Sequence, residues 1–571
     1  MKLDEFIELL FILRGRIMSK TSKQILLLLF CSLNLTVKAQ TNVSGFISAN
    51  TIWNLSGSPY IVIGNTLVAS GSTLTIEPGV VVKFDSDKAL QIDGELIAVG
   101  TSQNRITFTS NQISPVSGDW AKIHFSDLSQ DAIYDASGNY VSGSIMKYCD
   151  ILYAGGLGFG AIHTLNSSQY FSNCNIMNSA AYGIYKEGSS FVMDSSNVKG
   201  CANYGLYIHI ITCKVSVKNN LIENNRGGIF IQYGGTNNCQ KEIINNHFNL
   251  NYDKTTLCMW SRTTNLFISE NLFTDNTCSQ YQAILFLNDS GGTVGSVTID
   301  CNKFFNNENS GYGVLFSNYH LAGSIINNVF DGNFSWVNAI VDVEGSGSNY
   351  AFYFQNNLLV GNEAFGLPCF KFALSQGYSI ENNDFLNNTG TSAVQVKSYV
   401  VSPGPKYNNF SNPDSQYELY NNTPYGQANI TADNNYWGST NTQHIDSVIY
   451  DYFDFANQSV VYYLPILTSP IHVDTTCPVA TNGIYDQESV QDNLMLYPNP
   501  ASSSVSIGFD KTIHEGFVEF YDMLGKKVFT ENFHFVSKKE INVNALSDGV
   551  YLVILFDGEK CHSKKLLIEH N

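Results

Sequence analysis

Two carboxylates and a lysine stand where they could carry acid–base chemistry. In the segment AIVDVEG, Val341 and Val343 alternate with Asp342 and Glu344. On a half-buried strand the valines face a core and the two carboxylates face out together, about 6.5–7 Å apart at two residues' rise. In the next repeat CFKFA sends Lys371 outward, and in the one after AVQVK sends Gln395 and Lys397 outward. Two carboxylates at that separation beside a lysine could serve as acid and base in inverting glycoside hydrolysis. They could equally supply a base with a charge-neutralising lysine in a lyase. The competing reading is a solvated ladder of opposite charges across neighbouring strands, which adds only on the order of tenths of a kcal/mol.

A second polar group, Glu223, Arg226, His247, Asp253 and Lys254, falls on expected turns of adjacent repeats. Turns are where function is often grafted, but mixed charges are also the default of any soluble surface. Trp260 and Trp336 lie in or beside the longer repeats and could stack on sugar rings as a ligand platform. Trp437, inside NNYWG, reads better as a core or cap residue, and Trp120 is a further lone indole. Phosphate loops, serine elbows and metalloprotease helices have no match in the sequence. The cysteines are never two apart and no histidine pair has ligand spacing, so zinc has no motif here. No cofactor is indicated, and calcium among the turn carboxylates is left open.

An asparagine-marked turn positions these residues. Its first polar residue recurs at Asp150, Asn175, Asn197, Asn220, Asn246, Asn271, Asn302, Asn328, Asn357, Asn383, Asn409 and Asn435. The mean step is about 26 residues, a period that means a stacked repeat architecture. Between the marks run short alternations such as GIFIQ, GVLFS and AVQVK, too short to bury a face alone. Two or three strands plus turns in such a period make one coil of a parallel β-helix, with asparagines stacked coil on coil. Leucine-rich repeats need a leucine ladder that is absent, and propeller blades have a longer period.

Twelve cysteines include Cys31 in the expected signal segment, leaving an odd count. Cys213 and Cys239 share one repeat phase, and Cys149 and Cys174 share another, so each pair should stack on neighbouring coils. A spacing of about 4.8 Å lies within the Cα range of a disulfide. In-register side chains often point the wrong way to bond, however, and a free cysteine packs well as a small hydrophobe.

The formal net charge of −18 argues against nucleic acid, which needs a basic face. Only Arg105, Arg226 and Arg262 remain after the expected signal, few for gripping polyuronate carboxylates.

The run TLTIEPGVVVKF, then LQIDGELIAVGT, ITFTS and a Trp, resembles the first coils of secreted right-handed parallel β-helix repeat proteins. NNYWG at 434–438, followed by IYDYFD and YYLPIL, is similar to the closing coil of that family. The resemblance implies the fold and leaves activity open, since lyases, hydrolases and adhesins share it. Near the C-terminus Tyr497-Pro498-Asn499-Pro500, the stretch 522–525, and Leu546-Ser547-Asp548-Gly549-Val550-Tyr551 match landmarks of the type A C-terminal sorting domain of type IX secretion cargo. That resemblance implies outer-membrane passage in a Gram-negative bacterium through the type IX secretion machinery. It also implies removal of the domain, and release or attachment to surface lipopolysaccharide.

The expected organisation is all-β. Residues 1–39 hold an N-terminal extension and a signal peptide, with Lys20 and Lys23 before an apolar run at 25–35, cleavage before Gln40 and translation starting at Met18. The run is too short to span a bilayer. Residues 40–470 form a right-handed parallel β-helix, 471–491 a linker, and 492–571 a small β-sandwich. Three functions compete: a glycan-binding surface rod, a polysaccharide lyase or glycoside hydrolase working near Asp342, Glu344 and Lys371, and a structural spacer.

Overall fold

The structure, a computed structural model, describes residues 40–473, 477, 495–521, 527–556 and 561–570. Short segments within the first span are excepted: 136–138, 211–213, 234–239, 261–264, 280–281, 289–295, 319–321, 345–351, 375–377 and 399–403. The expected signal at 1–39 therefore lies outside the described residues, as do Cys213, Cys239 and the landmark at 522–525. The chain forms two compact units, Met1–Ala480 and Thr481–Asn571.

The first unit is a parallel β-helix. One coil shows why the sequence builds it. Gln240–Ile244, His247–Asn249 and Leu257–Trp260 are strands on three successive faces. Each pairs in parallel and in register with the equivalent strand one repeat later. The first face is a 13-stranded sheet. The second and third belong to one 29-stranded sheet, because the N-terminal strand Tyr60–Val68 bends across both and pairs with Val81–Phe84 on one and Leu90–Ile92 on the other. Inward residues of all faces merge into a single apolar cluster running from Trp53 to Val461. A strand of four residues that could not persist alone is thus sealed above, below and across the bore.

Corners between faces are set by asparagine doublets. In Asn219-Asn220, Asn245-Asn246 and Asn327-Asn328, the first residue takes positive φ (57°, 53° and 57°), which asparagine tolerates better than most residues. The second turns its amide into the wall. Asn220, Asn246, Asn271, Asn302, Asn328, Asn357, Asn383, Asn408 and Asn435 form one buried ladder in which each Nδ2 donates to the next Oδ1 at 2.9–3.1 Å. Each Oδ1 also accepts the preceding asparagine's backbone N–H. A parallel ladder runs from Asn225 through Asn251, Asn276 and Asn307 to Asn412. In each amide one N–H of Nδ2 donates back to a carbonyl of the preceding coil and the other donates toward the C-terminal end, where Glu418 accepts from both Asn412 N–H (2.7 Å) and Nδ2 (2.6 Å). Between the ladders Phe248, Phe273, Phe304 and Phe330 stack at centroid spacings of 4.6 Å.

Four of the repeat marks need correction. The ladder member is Asn408, while Asn409 faces outward and binds Ile471. Asp150, Asn175 and Asn197 form a separate, outward column one residue along, linked at 2.7–2.8 Å. Before Asn220 the buried ladder position is filled by Cys174 and Ser196: Cys174 N–H donates to Ser196 Oγ and Ser196 N–H donates to Asn220 Oδ1, each at 2.9 Å.

Trp437 closes the bore by stacking on Phe410 at 4.8 Å. Near the other end Trp120 stacks on Phe84 at 4.0 Å and donates to Leu152 O. In the second unit the described strands are linked by antiparallel pairing into one five-stranded set. The long strand Ser504–Tyr521 pairs with Lys527–Asn542 across both halves, and a register shift between Gly508 and Ile513 divides it. Its core gathers Val505, Ile507, Val518, Phe520, Val553 and Leu566.

Candidate functional site

The third face carries two outward rows at alternate positions of each strand. Register places His124, His163, Tyr185, Tyr207 and Phe230 in the first row, followed by Cys258, Phe286, Phe316, Asp342, Lys371, Gln395, Tyr420 and Tyr450. The second row, two residues along, holds Glu187, His209, Gln232 and Trp260, with the backbone positions of Asn288, Asn318 and Glu344 continuing it. One row is thus mainly aromatic and the other mainly polar.

Because the rungs lie one strand spacing apart, the rings of the first row stack on each other. Tyr185 and Tyr207 lie 4.9 Å apart at 5°, Tyr207 and Phe230 5.1 Å at 2°, and Tyr420 and Tyr450 4.4 Å at 5°. Tyr182 and Tyr204, each three residues before a ring of the row, lean on this stack at 5.1–5.4 Å. Phe159 lies flat on His163, whose other face meets His124 at 4.6 Å. Two cations border the row: Lys122 Nζ sits 4.2 Å from the Phe159 ring centre and Lys254 Nζ 5.0 Å from that of Tyr204.

This crowding controls ionisation. Burial, aided by His124, Lys122 and Lys186, pushes the His163 imidazole down to about 3, so it is neutral at physiological pH. Burial likewise lowers His124 and Lys122. Tyr185 is pushed up to about 12 by burial and then by the Glu187 carboxylate, so it keeps its hydroxyl proton as a donor.

The proposed catalytic group looks different from its sequence reading. Val341 and Val343 do face the core, but Asp342 is only 1% exposed despite lying on the outer row. Its Oδ2 accepts from Lys371 Nζ at 3.0 Å and from Asn338 Nδ2 at 2.9 Å. Asp342 does not project into solvent: it stands in register between Phe316 and Lys371, and its carboxylate is held by Lys371 and Asn338. The Glu344 side chain lies outside the described residues, so the pair's separation is not defined.

Trp260 is 40% exposed and stands in register beside Gln232. Trp336 is 48% exposed, donates Nε1–H to Glu308 at 2.8 Å and meets Phe334 edge-on. It follows the two-residue strand Phe334–Ser335 of a small four-stranded sheet, so the two tryptophans do not share a row.

The second sequence cluster separates into pairs. Glu223 binds Lys199 at 2.6 Å, Arg226 binds Asp253 at 2.6 Å, His247 contacts Thr274, and Lys254 donates to Asn203. Cys149 and Cys174 do stack on adjacent coils but are free and buried. Their thiols point to Ala98 O and Met146 O, which corrects the disulfide expectation for that pair. Among the described residues no three His, Cys, Asp or Glu side chains converge as metal ligands.

Sequence reasoning missed the aromatic row, although its signal was present. Gly183-Ile184-Tyr185, Gly205-Leu206-Tyr207 and Gly228-Ile229-Phe230 place a ring at one repeat phase in three consecutive coils.

Residues 160–330 match the family described as "Right handed beta helix region", and 45–130 match "Pectate-lyase like beta helix domain". Residues 495–569 match "Secretion system C-terminal sorting domain". A 66-residue stretch is 44% identical to "Protein bark beetle" of Drosophila melanogaster, covering 12% of this chain and 2% of that protein. Among solved structures, a tailspike double mutant of E. coli bacteriophage HK620 in complex with pentasaccharide aligns at 11% identity over 92% of this chain and 86% of its own, with a TM-score of 0.28. The Siphovirus 9NA tailspike receptor binding domain aligns at 10% identity over 90% and 98%, with a TM-score of 0.19. Scores this low carry no argument about this chain. No helix among the described residues is long and apolar enough to cross a membrane. The chain is a secreted right-handed parallel β-helix protein that ends in a type IX C-terminal sorting domain.

Proposed function

We propose that the helix binds an extended polysaccharide along the outer face of its third sheet and holds it without cleaving it, as a cell-surface glycan-binding or adhesion protein. The observation that carries this reading is the pairing of two straight rows at one rung per strand spacing. The row of Tyr185 and Tyr207 runs beside the row of Glu187, His209, Gln232 and the partly exposed Trp260. A sugar chain offers apolar C–H faces and hydroxyls in alternation, and such a surface matches both along its length. The rod would present the face, and the sorting domain would deliver it outside the cell. A catalytic reading needs Asp342 to reach substrate, and that carboxylate is sealed against Lys371 and Asn338.

The test is retention of the purified chain on acidic and neutral polysaccharides, with released products assayed in parallel. Trp260→Ala and Tyr207→Ala are each expected to weaken retention roughly tenfold, the loss of about 1.4 kcal/mol of ring contact. No reducing ends or unsaturated products should form. Unchanged retention in both variants, or steady product release, would refute the reading.

A further inference from the structure

After its last coil the chain turns back along the rod. Leu467 N–H donates to Asn435 O at 2.9 Å on the final rung of the ladder. One rung earlier, Asn409 grips Ile471 twice: its Nδ2 donates to Ile471 O and Ile471 N–H donates to its Oδ1, each at 2.8 Å. The charge of His472 acts on Asp384, on the coil before that. Cys477 is then disulfide-bonded to Cys301, with Cα atoms 5.3 Å apart. It also lies against Asn327 O at 3.2 Å.

The distances are consistent with one continuous path. From Asn408 back to Asn302 the ladder takes four steps, through Asn383, Asn357 and Asn328. At one strand spacing per step this is about 19 Å. The six residues from Ile471 to Cys477 reach roughly 20–22 Å when extended. Every anchor lies on the same corner of the rod, beside the first asparagine ladder.

We propose that this returning strap, closed by Cys301–Cys477, is a load path. It carries tension arriving from the C-terminal unit to the middle of the rod and bypasses the coils beyond Cys301. The inference is independent of the glycan reading. It uses only the finding that the C-terminal unit is a sorting domain, the part of the chain on which a secretion machinery takes hold. The terminal coil of a β-helix has a neighbour on one side only, so a pull applied at its end would break ladder bonds one rung at a time. A pull delivered at Cys301 enters a coil supported on both sides. A disulfide suits that task in a secreted protein, where oxidising conditions preserve it.

Single-molecule force spectroscopy on the full oxidised chain, held near residues 41 and 570, tests this directly. The 176 residues between the two cysteines should stay hidden from the extension. Adding reductant to the folded chain should release about 600 Å of further contour length, at 3.3–3.6 Å per residue. Cys301→Ser should release the same length without reductant, and the coils beyond residue 301 should then open at lower force. If that variant does not fold, the oxidised and reduced wild type give the same comparison. Equal contour lengths with and without reductant, or coils beyond residue 301 that open, once released, at no lower force than the coils before it, would overturn the proposal.

Discussion

At the scale of single residues, asparagine does two different jobs in adjacent positions. The first of each doublet supplies a left-handed turn, while the second supplies a buried amide whose every donor and acceptor is used. These jobs predict different costs. Asn276→Ala would strip the acceptor from Asn251 N–H and Nδ2, and the donor from Phe248 O and Asn307 Oδ1. With unsatisfied buried groups costing about 1–3 kcal/mol each, the loss should exceed about 3 kcal/mol in urea unfolding. Asn219→Gly keeps a residue comfortable at φ 57° and gives up only partly exposed side-chain bonds, so it should cost under about 1 kcal/mol. Similar losses for the two would mean that the buried ladder is not what joins the coils. A correct repeat phase was legible in the sequence at most marks, yet it slipped by one residue at Asp150, Asn175 and Asn197, where Ser196 and Cys174 stand in the ladder, and at Asn408-Asn409, where two adjacent asparagines fit the same pattern.

Strands and rows explain what the sequence could show and what it could not. Alternation gave the inward positions Val341 and Val343 correctly, and it assigned Asp342 and Lys371 to the opposite side. It could not tell that this side is itself covered at Asp342, because coverage depends on the size of residues one rung away. Phe316 is separated from Asp342 by a full repeat and stands beside it only once the coils are in register. The disulfide was hidden for a related reason. Phase analysis pairs cysteines on neighbouring coils, whereas Cys301 and Cys477 meet through a segment that has left the repeat.

The aromatic row also makes stability depend on pH. Folded His163 ionises at about 3, against 6.5 for an ordinary imidazole. Between those values the unfolded chain takes up a proton that the folded chain refuses. This contribution is therefore complete above pH 6.5 and is lost progressively as pH falls toward 3. His163→Phe, which keeps a ring between Phe159 and His124, should show a shallower fall in urea midpoint over that window. An identical pH profile in the variant would show that His163 is not ionising against the row.

On the scale of the whole molecule, three faces share one bore but differ in what they present. The second face ends in tight asparagine corners, and the third presents the aromatic and polar rows. The account assigns ligand to that third face alone. Hydrogen–deuterium exchange of the full chain, with and without a polysaccharide that it retains, reads this location directly. Protection is expected in peptides covering 184–187, 206–209, 229–232 and 257–260, with little change at 221–223, 247–249 and 272–274 on the second face. Protection confined to the second face, or none along the aromatic row at saturating polysaccharide, would contradict the account.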